Sequence, residues 1–233
     1  MKIKFFIYAV LFLMLSCSKR DSVVSIIDST LLKIKSDLFL NSGLNAYNFD
    51  SFKINIQDLK LRFDVIGGIT EEEFVGYDGN GFFDKLDNSL LNGPIEIEFF
   101  SDQDVLNLPS PKTNYNAFSF QFTKSEDTDS EMYNKTIRLE GRKDGMPIVF
   151  WHDFEDVFAF DFDDEGFVIN ESVERLKIRV FLGDFLSVSL LSNALDGDGD
   201  GTITISPNDT DGNNDLAETI KDLFLLQLRI VTE

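Results

Sequence analysis

Cysteine, histidine and tryptophan each occur once in this chain of 233 residues, and proline five times. A single thiol can neither close an internal disulfide nor build a cysteine-based zinc cluster. A single imidazole excludes a multi-histidine metal site. Five prolines are too few for a proline-rich linker. Basic residues are also scarce: 21 lysines and arginines stand against 41 aspartates and glutamates, a formal charge of −20. Such a surface repels phosphate backbones, so nucleic acid is not an expected partner. No nucleophile elbow (G-x-S-x-G) and no phosphate-cradling glycine loop is present. What is abundant is phenylalanine, at 24 residues, within an apolar fraction of 43%. That is enough to build a substantial core in one large domain.

The first residues read as an address. Lys2 and Lys4 precede an uncharged apolar run from Phe5 to Leu15. The run is too short for a spanning helix, which needs about 20 residues, but suits the apolar part of a secretory signal. Met14-Leu15-Ser16-Cys17-Ser18 follows, with a small residue directly before the only cysteine. This arrangement resembles the lipobox of bacterial lipoproteins. The resemblance implies cleavage after residue 16, acylation at Cys17 and attachment to a membrane. Two or three acyl chains hold a soluble domain stably, at about 0.8 kcal/mol per buried methylene. Ser18 is not the aspartate associated with inner-membrane retention, which points to the outer membrane. The side of that membrane stays open. Residues 1–16 are therefore expected to be a signal peptide, 17–30 a tether with a possible first edge strand at Val23–Ile27, and 31–233 the folded domain.

Apolar residues then recur at every second position, the mark of half-buried strands. Phe52, Ile54 and Ile56 alternate in one phase, and Leu59, Leu61 and Phe63 in the other. The switch predicts a bulge or break near Gln57-Asp58. Further alternating runs fall at Ile95–Phe99, Phe118–Phe122, Ile137–Leu139, Ile148–Phe150, Phe158–Phe162 and Leu176–Leu182. Asp144-Gly145 between two of them predicts a tight hairpin, because that turn needs positive φ. The phenylalanine stripes are read as core. The expected fold is mainly β, an antiparallel β-sandwich with one or two short helices near the C-terminus. One helix is expected to be capped by Asp184 and to run through Leu191. A second should start at Asn214 or Asp215 with a capping box between Asp215 and Glu218. A final strand is expected within Leu226–Val231.

The stretch from LPSPKTNYNAFSFQF through KTIRLEGRKDGMPIVFWHDFEDVFAFDFDDEGFVI, residues 108–169, is similar to a group of uncharacterised bacterial lipoproteins with a β-sandwich domain of unknown function. The likeness lies in a Pro/Lys/Thr/Tyr turn entering a strand, a G-x-x-D-G-x-P hairpin, and a Phe/Asp alternating strand. It implies a fold and a location, and no activity.

One run carries chemistry. Asp196-Gly-Asp198-Gly-Asp200-Gly201-Thr202-Ile203-Thr204 matches the first nine positions of a calcium loop. Calcium takes six to eight oxygens, and alternate residues of a tight loop can aim carboxylates inward. The Thr202 carbonyl and the Thr204 hydroxyl would continue the sphere. The twelfth position, normally a bidentate acid, is Pro207, so Asp209 or Asp211 would have to swing in. The expected ligands are Asp196, Asp198, Asp200, Thr202, Thr204, Asp209 and Asp211, within an acidic loop 193–215, with calcium as the ion. Trp151-His152-Asp153 is better read as a hydrogen-bonded pair than as part of a catalytic triad. Tyr77–Gly81 reads as a turn, and Glu71-Glu72-Glu73 as a solvated loop. The functional expectation is a non-catalytic binding or structural module, tied to a membrane by lipid and contacting an envelope protein or glycan. The alternatives are an accessory subunit of an outer-membrane transport or secretion assembly, and a hydrolase of extracellular polymers.

Overall fold

Alternation between buried and exposed positions runs through the strands of the protein. The computed structural model describes residues 29–39, 47–63, 94–101, 104–111, 114–162, 166–169 and 173–232. The signal segment, Cys17, most of the tether, Glu71–Glu73 and the Tyr77–Gly81 turn lie outside the described residues. So do Lys112 and Thr113 of the turn quoted for the lipoprotein resemblance.

The described chain is mainly β and forms two sheets. The strands are β1 (Ser29–Phe39), β2 (Tyr47–Phe63), β3 (Ile95–Glu98), β4 (Asp104–Pro111), β5 (Asn114–Phe122) and β6 (Ile137–Lys143). Then come β7 (Met146–His152), β8 (Asp156–Asp161), β9 (Phe167–Val168), β10 (Val173–Phe181), β11 (Ile203–Ile205) and β12 (Leu228–Thr232). The smaller sheet has the order β12-β10-β1-β4, and the larger β11-β7-β6-β2-β5-β8, with β3 added on β2 and β9 on β5. Three helices follow β10 in the chain: the single turns α1 (Leu182–Phe185) and α2 (Val188–Leu191), and the longer α3 (Asn214–Gln227). Among the described residues, no helix is long and apolar enough to cross a membrane.

Most pairings are antiparallel, as expected, but two are not. β1 runs parallel to β10, and β11 runs parallel to β7. The sheets are therefore mixed, because alternation reports which face a residue takes and not which strand lies beside it.

The phase switch in β2 falls where the sequence places it. Asp58 has φ +52°, and the register with β5 slips between Gln57 and Lys60. Phe52, Ile54 and Ile56 before it and Leu59 and Leu61 after it are all buried. The slip lets one strand turn both apolar sets inward. Asp144 and Gly145, at φ +52° and +89°, form the two-residue loop that joins β6 to β7, with Lys143 opposite Met146.

Both sheets contribute to one core. The smaller sheet supplies Leu32, Ile34, Leu176, Ile178 and Val180, and the larger supplies Phe52, Phe118, Phe120, Phe122 and Phe150, all buried. The stripe at Phe158–Phe162 differs. Phe158, Phe160 and Phe162 are only half-buried, and among the described residues β8 is the last strand of its sheet. Phe158 stacks on Phe120 at 5.0 Å between ring centroids.

Helix α3 packs against β7, β10 and β11, and so touches both sheets. Ala217, Ile220 and Phe224 form its buried face. The Phe224 ring meets Phe52 edge-on at 6.0 Å and Phe122 at 5.7 Å. Two expectations about helix ends are corrected. Asp184 lies within α1, and the side chain that meets the first turn of α2 is Ser187, whose hydroxyl accepts the Leu190 N–H at 3.2 Å. The Asp215–Glu218 capping box does not form. Asn213 is the N-cap of α3 and makes no side-chain cap bond, while Glu218 is drawn to partners outside the helix.

Truncating Phe224 to Ala opens a cavity at this junction. The expected loss is about 3–5 kcal/mol of unfolding free energy, measured by urea denaturation.

Candidate metal centre

The acidic loop links α2 to β11 and then β11 to α3. Its glycines set its path. Gly201 has φ +90°, a conformation that side chains with a Cβ rarely adopt. Gly197 is needed for a different reason: a Cβ there would stand 2.2 Å from the Asp211 carbonyl oxygen. The two limbs of the loop thus touch backbone to backbone.

This approach brings Asp211 to Asp196 and Asp198. One carboxylate oxygen from each lies within 4.8 Å of the other two. Asp211 is buried, Asp196 half-buried and Asp198 exposed. The Asp211 carboxylate also staples the loop. One oxygen accepts the Gly197 and Asp198 N–H groups at 3.0 and 3.2 Å, and the other accepts the Thr204 N–H at 2.6 Å. Asp196 accepts from Gly199 and Gly201 at 2.8 and 3.1 Å. Asp198 accepts from the Asp200 N–H at 3.1 Å and from the Thr210 hydroxyl at 2.5 Å. The Thr210 hydrogen bond, followed by the Asp200 N–H, holds the Asp198 carboxyl below its ordinary range.

Of the carboxylates named from sequence, Asp196, Asp198 and Asp211 converge, whereas Asp200 and Asp209 stand outside the cluster. Asp200 accepts the Thr202 N–H at 2.7 Å. Asp209 closes the next turn, taking the Ser206 and Asn213 N–H groups at 2.7 and 3.1 Å. The Thr204 carbonyl accepts from the Asn213 amide at 2.7 Å. Asn213, which ends the second partial acidic run Asp209-Thr-Asp211-Gly212-Asn213, ties the loop together rather than joining the carboxylate cluster. Its amide also donates to the Leu195 carbonyl at 2.8 Å and accepts the Leu195 N–H at 3.1 Å. A buried asparagine satisfied on both sides fixes the distance between the two limbs.

Three carboxylates on a loop of this path offer hard oxygen ligands of the type calcium takes. Like carboxylates at this spacing repel, and the backbone N–H groups of Gly197, Gly199, Gly201 and Thr204 and the Thr210 hydroxyl place positive dipoles against them.

The histidine has a different partner from the one expected. His152 Nε2 lies 3.0 Å from Glu218 Oε1 of α3, whereas Asp153 Oδ1 is 3.8 Å from Nδ1. Nδ1 accepts the Phe154 N–H at 3.1 Å. Glu218 also receives Lys221 at 2.8 Å. The Lys221 hydrogen bond, and after it the bond from His152, hold the Glu218 carboxyl below its ordinary value. Asp104 is lowered likewise, first by its hydrogen bond to Lys33.

No family model, curated protein or solved structure matches this chain.

Asp211→Ala should cost about 2–4 kcal/mol, because three backbone N–H groups lose their acceptor. Asp200→Ala, at an exposed position with one bond, should cost under about 1 kcal/mol. Chemical denaturation of both variants without added metal distinguishes them. A second expectation concerns pH. Carboxyls whose folded pKa is lowered stabilise the fold above their unfolded pKa, and the contribution is lost as pH falls through the folded value. Stability should therefore drop on acidification below about pH 4. Glu218→Gln should flatten part of that drop in melts taken between neutral and acid pH.

Proposed function

We propose that the chain is a lipid-anchored cell-envelope lipoprotein, fastened to the outer membrane through Cys17. Its β domain acts as a non-catalytic binding or structural module, contacting an envelope protein or glycan. A calcium ion held by Asp196, Asp198 and Asp211 orders the acidic loop and docks α3. The observation that carries this reading is the convergence of those three carboxylates, one of them buried, on a loop whose sequence follows the D-x-D-x-D-G order. The signal-like run ending at Ser16-Cys17 supports the anchor. Sites in extracellular modules bind calcium at about 10⁻⁴–10⁻³ M, which suits a compartment open to external calcium.

The chain without its first 16 residues should melt higher in millimolar calcium. At about ten times the Kd the gain is about 1.4 kcal/mol, or about 3–6 °C for a domain of this size. Asp198→Ala should abolish the rise, and magnesium should produce less of one. A melting temperature indifferent to calcium would remove the ion. Separately, Cys17→Ser should shift the protein out of the membrane fraction of the producing cells. Unchanged partition would remove the anchor.

A further inference from the structure

The one histidine of the chain ends β7, is buried, and has both ring nitrogens engaged. The Phe154 N–H meets Nδ1 at 3.1 Å and, being a backbone N–H, can only donate. Nδ1 therefore keeps its lone pair. The ring proton sits on Nε2, from which it is donated to Glu218 Oε1 of α3 at 3.0 Å. Thr136 holds the same corner from the other side. Its N–H donates to the His152 carbonyl at 2.9 Å, and its hydroxyl to the Phe154 carbonyl at 2.6 Å. The Phe154 ring lies 5.5 Å from the imidazole and 5.1 Å from Phe122 of the core. Among the described residues, charged groups reach the ring from two directions. Glu218 brings Lys221, at 2.8 Å, which also meets Asp222 at 3.1 Å. Asp153 Oδ1 is 3.8 Å from Nδ1, and its Oδ2 meets Lys124 at 3.4 Å. On the β6 side the neighbours, Thr136 and Ile137, carry no charge.

We propose that His152 is an acid switch: a second ring proton exchanges its Phe154 partner for the Asp153 carboxylate and frees the turn that leads into β8. A proton taken from solvent onto Nδ1 turns the acceptor into a donor. Two N–H groups then face each other at 3.1 Å with no acceptor between them, so that contact has to open. The other neighbour suits what the ring has become. Asp153 Oδ1, on a half-buried side chain, needs to approach by only about 1 Å to accept the new N–H. The exchange is downhill once the ring is charged. The bond lost joins two neutral groups, whereas the bond gained joins an imidazolium to a carboxylate and is roughly twice as strong. Nε2 keeps its proton and its partner Glu218 throughout. The freed Phe154 N–H is not stranded. Phe154 is half-buried, and Glu155 and Asp156 beyond it are exposed, so water takes the place of the ring. What the turn loses is its own closure. Thr136 then holds Phe154 by the carbonyl alone, and the seat of its ring against Phe122 loosens where the chain passes to β8. The pairing of His152 with Asp153 is thus the protonated state of this corner, and the pairing with Phe154 the neutral one.

The test is heteronuclear NMR on the full ¹⁵N-labelled chain, in which the lone histidine gives one pair of ring nitrogens. At about pH 8, couplings within the ring should place the proton on Nε2 alone. As pH is lowered to about 5, across the range in which imidazoles charge, both nitrogens should become protonated. The Phe154 amide should shift in step with them. Its protection against solvent exchange, corrected for the intrinsic effect of pH, should fall at least about tenfold. The Thr136 amide, bonded to the His152 carbonyl, should keep its protection. Asp153→Asn removes the carboxylate that completes the exchange, and should move the Phe154 step by about one pH unit toward acid. His152→Gln should abolish the step, and Asp153→Asn is read alone if that variant fails to fold. A proton on Nδ1 at the alkaline end, or a Phe154 amide indifferent to protonation of the ring, overturns the proposal. So does a step that a folded Asp153→Asn leaves in place, or a ring that stays singly protonated until the whole protein unfolds.

Discussion

The parallel pairing of β1 with β10 is the constraint on which the smaller sheet depends. It joins Leu31–Phe39 to Val173–Phe181 through nine consecutive residue pairs. The Asp37–Arg179 ion pair inside it links residues 142 positions apart. β4 and β12 then add to the two outer sides of this pair. Without it the sheet separates into two two-stranded ribbons, β4 with β1 and β12 with β10, and Leu32, Ile34, Leu176, Ile178 and Val180 lose their common layer in the core. Contacts this distant must overcome the entropy of closing a long loop before they stabilise anything. The larger sheet is more local, since β6 and β7 meet across two residues. The larger sheet is thus the natural template, against which the smaller one and α3 close.

What the sequence made legible follows the same division. The break at Gln57-Asp58 and the turn at Asp144-Gly145 could be read because their causes are local: a change of apolar phase, and residues that tolerate positive φ. The inward faces of β2, β5 and β10 could be read because the period of a strand is a property of the strand alone. The parallel pairings could not, since nothing in Lys33-Ile34-Lys35 names Arg175-Leu176-Lys177 as its neighbour. The capping box failed for a related reason. Glu218 has the right spacing from Asp215, but His152 and Lys221 compete for it, and His152 comes from a strand 66 residues away. In the acidic loop, the D-x-D-x-D-G order identified Asp196 and Asp198. Choosing Asp211 over Asp209 needed the return path of the chain, which Gly197 permits and Asn213 fixes.

Charge behaves in the same way. A formal value of −20 describes an average, and the register of three strands sets members of the minority sign side by side. Arg175, Lys177 and Arg179 are visible in sequence as the polar partners of an alternating strand. Their meeting with Lys33, Lys35 and Arg229 is visible only once the neighbours are known. Any inference from net charge about what this protein touches therefore has to be made face by face.

The staple in the acidic loop has one more effect, at the margin of the larger sheet. Among the described residues β11 is the terminal strand there, and a terminal strand offers its outward backbone groups to any extended peptide that passes. Thr204, at its centre, has both groups taken: Asp211 receives its N–H, and the Asn213 amide fills its carbonyl. The side chains imitate the missing neighbour strand. A loop with the composition of an ion site thereby also seals the border of the sheet against strand addition and the aggregation that begins with it.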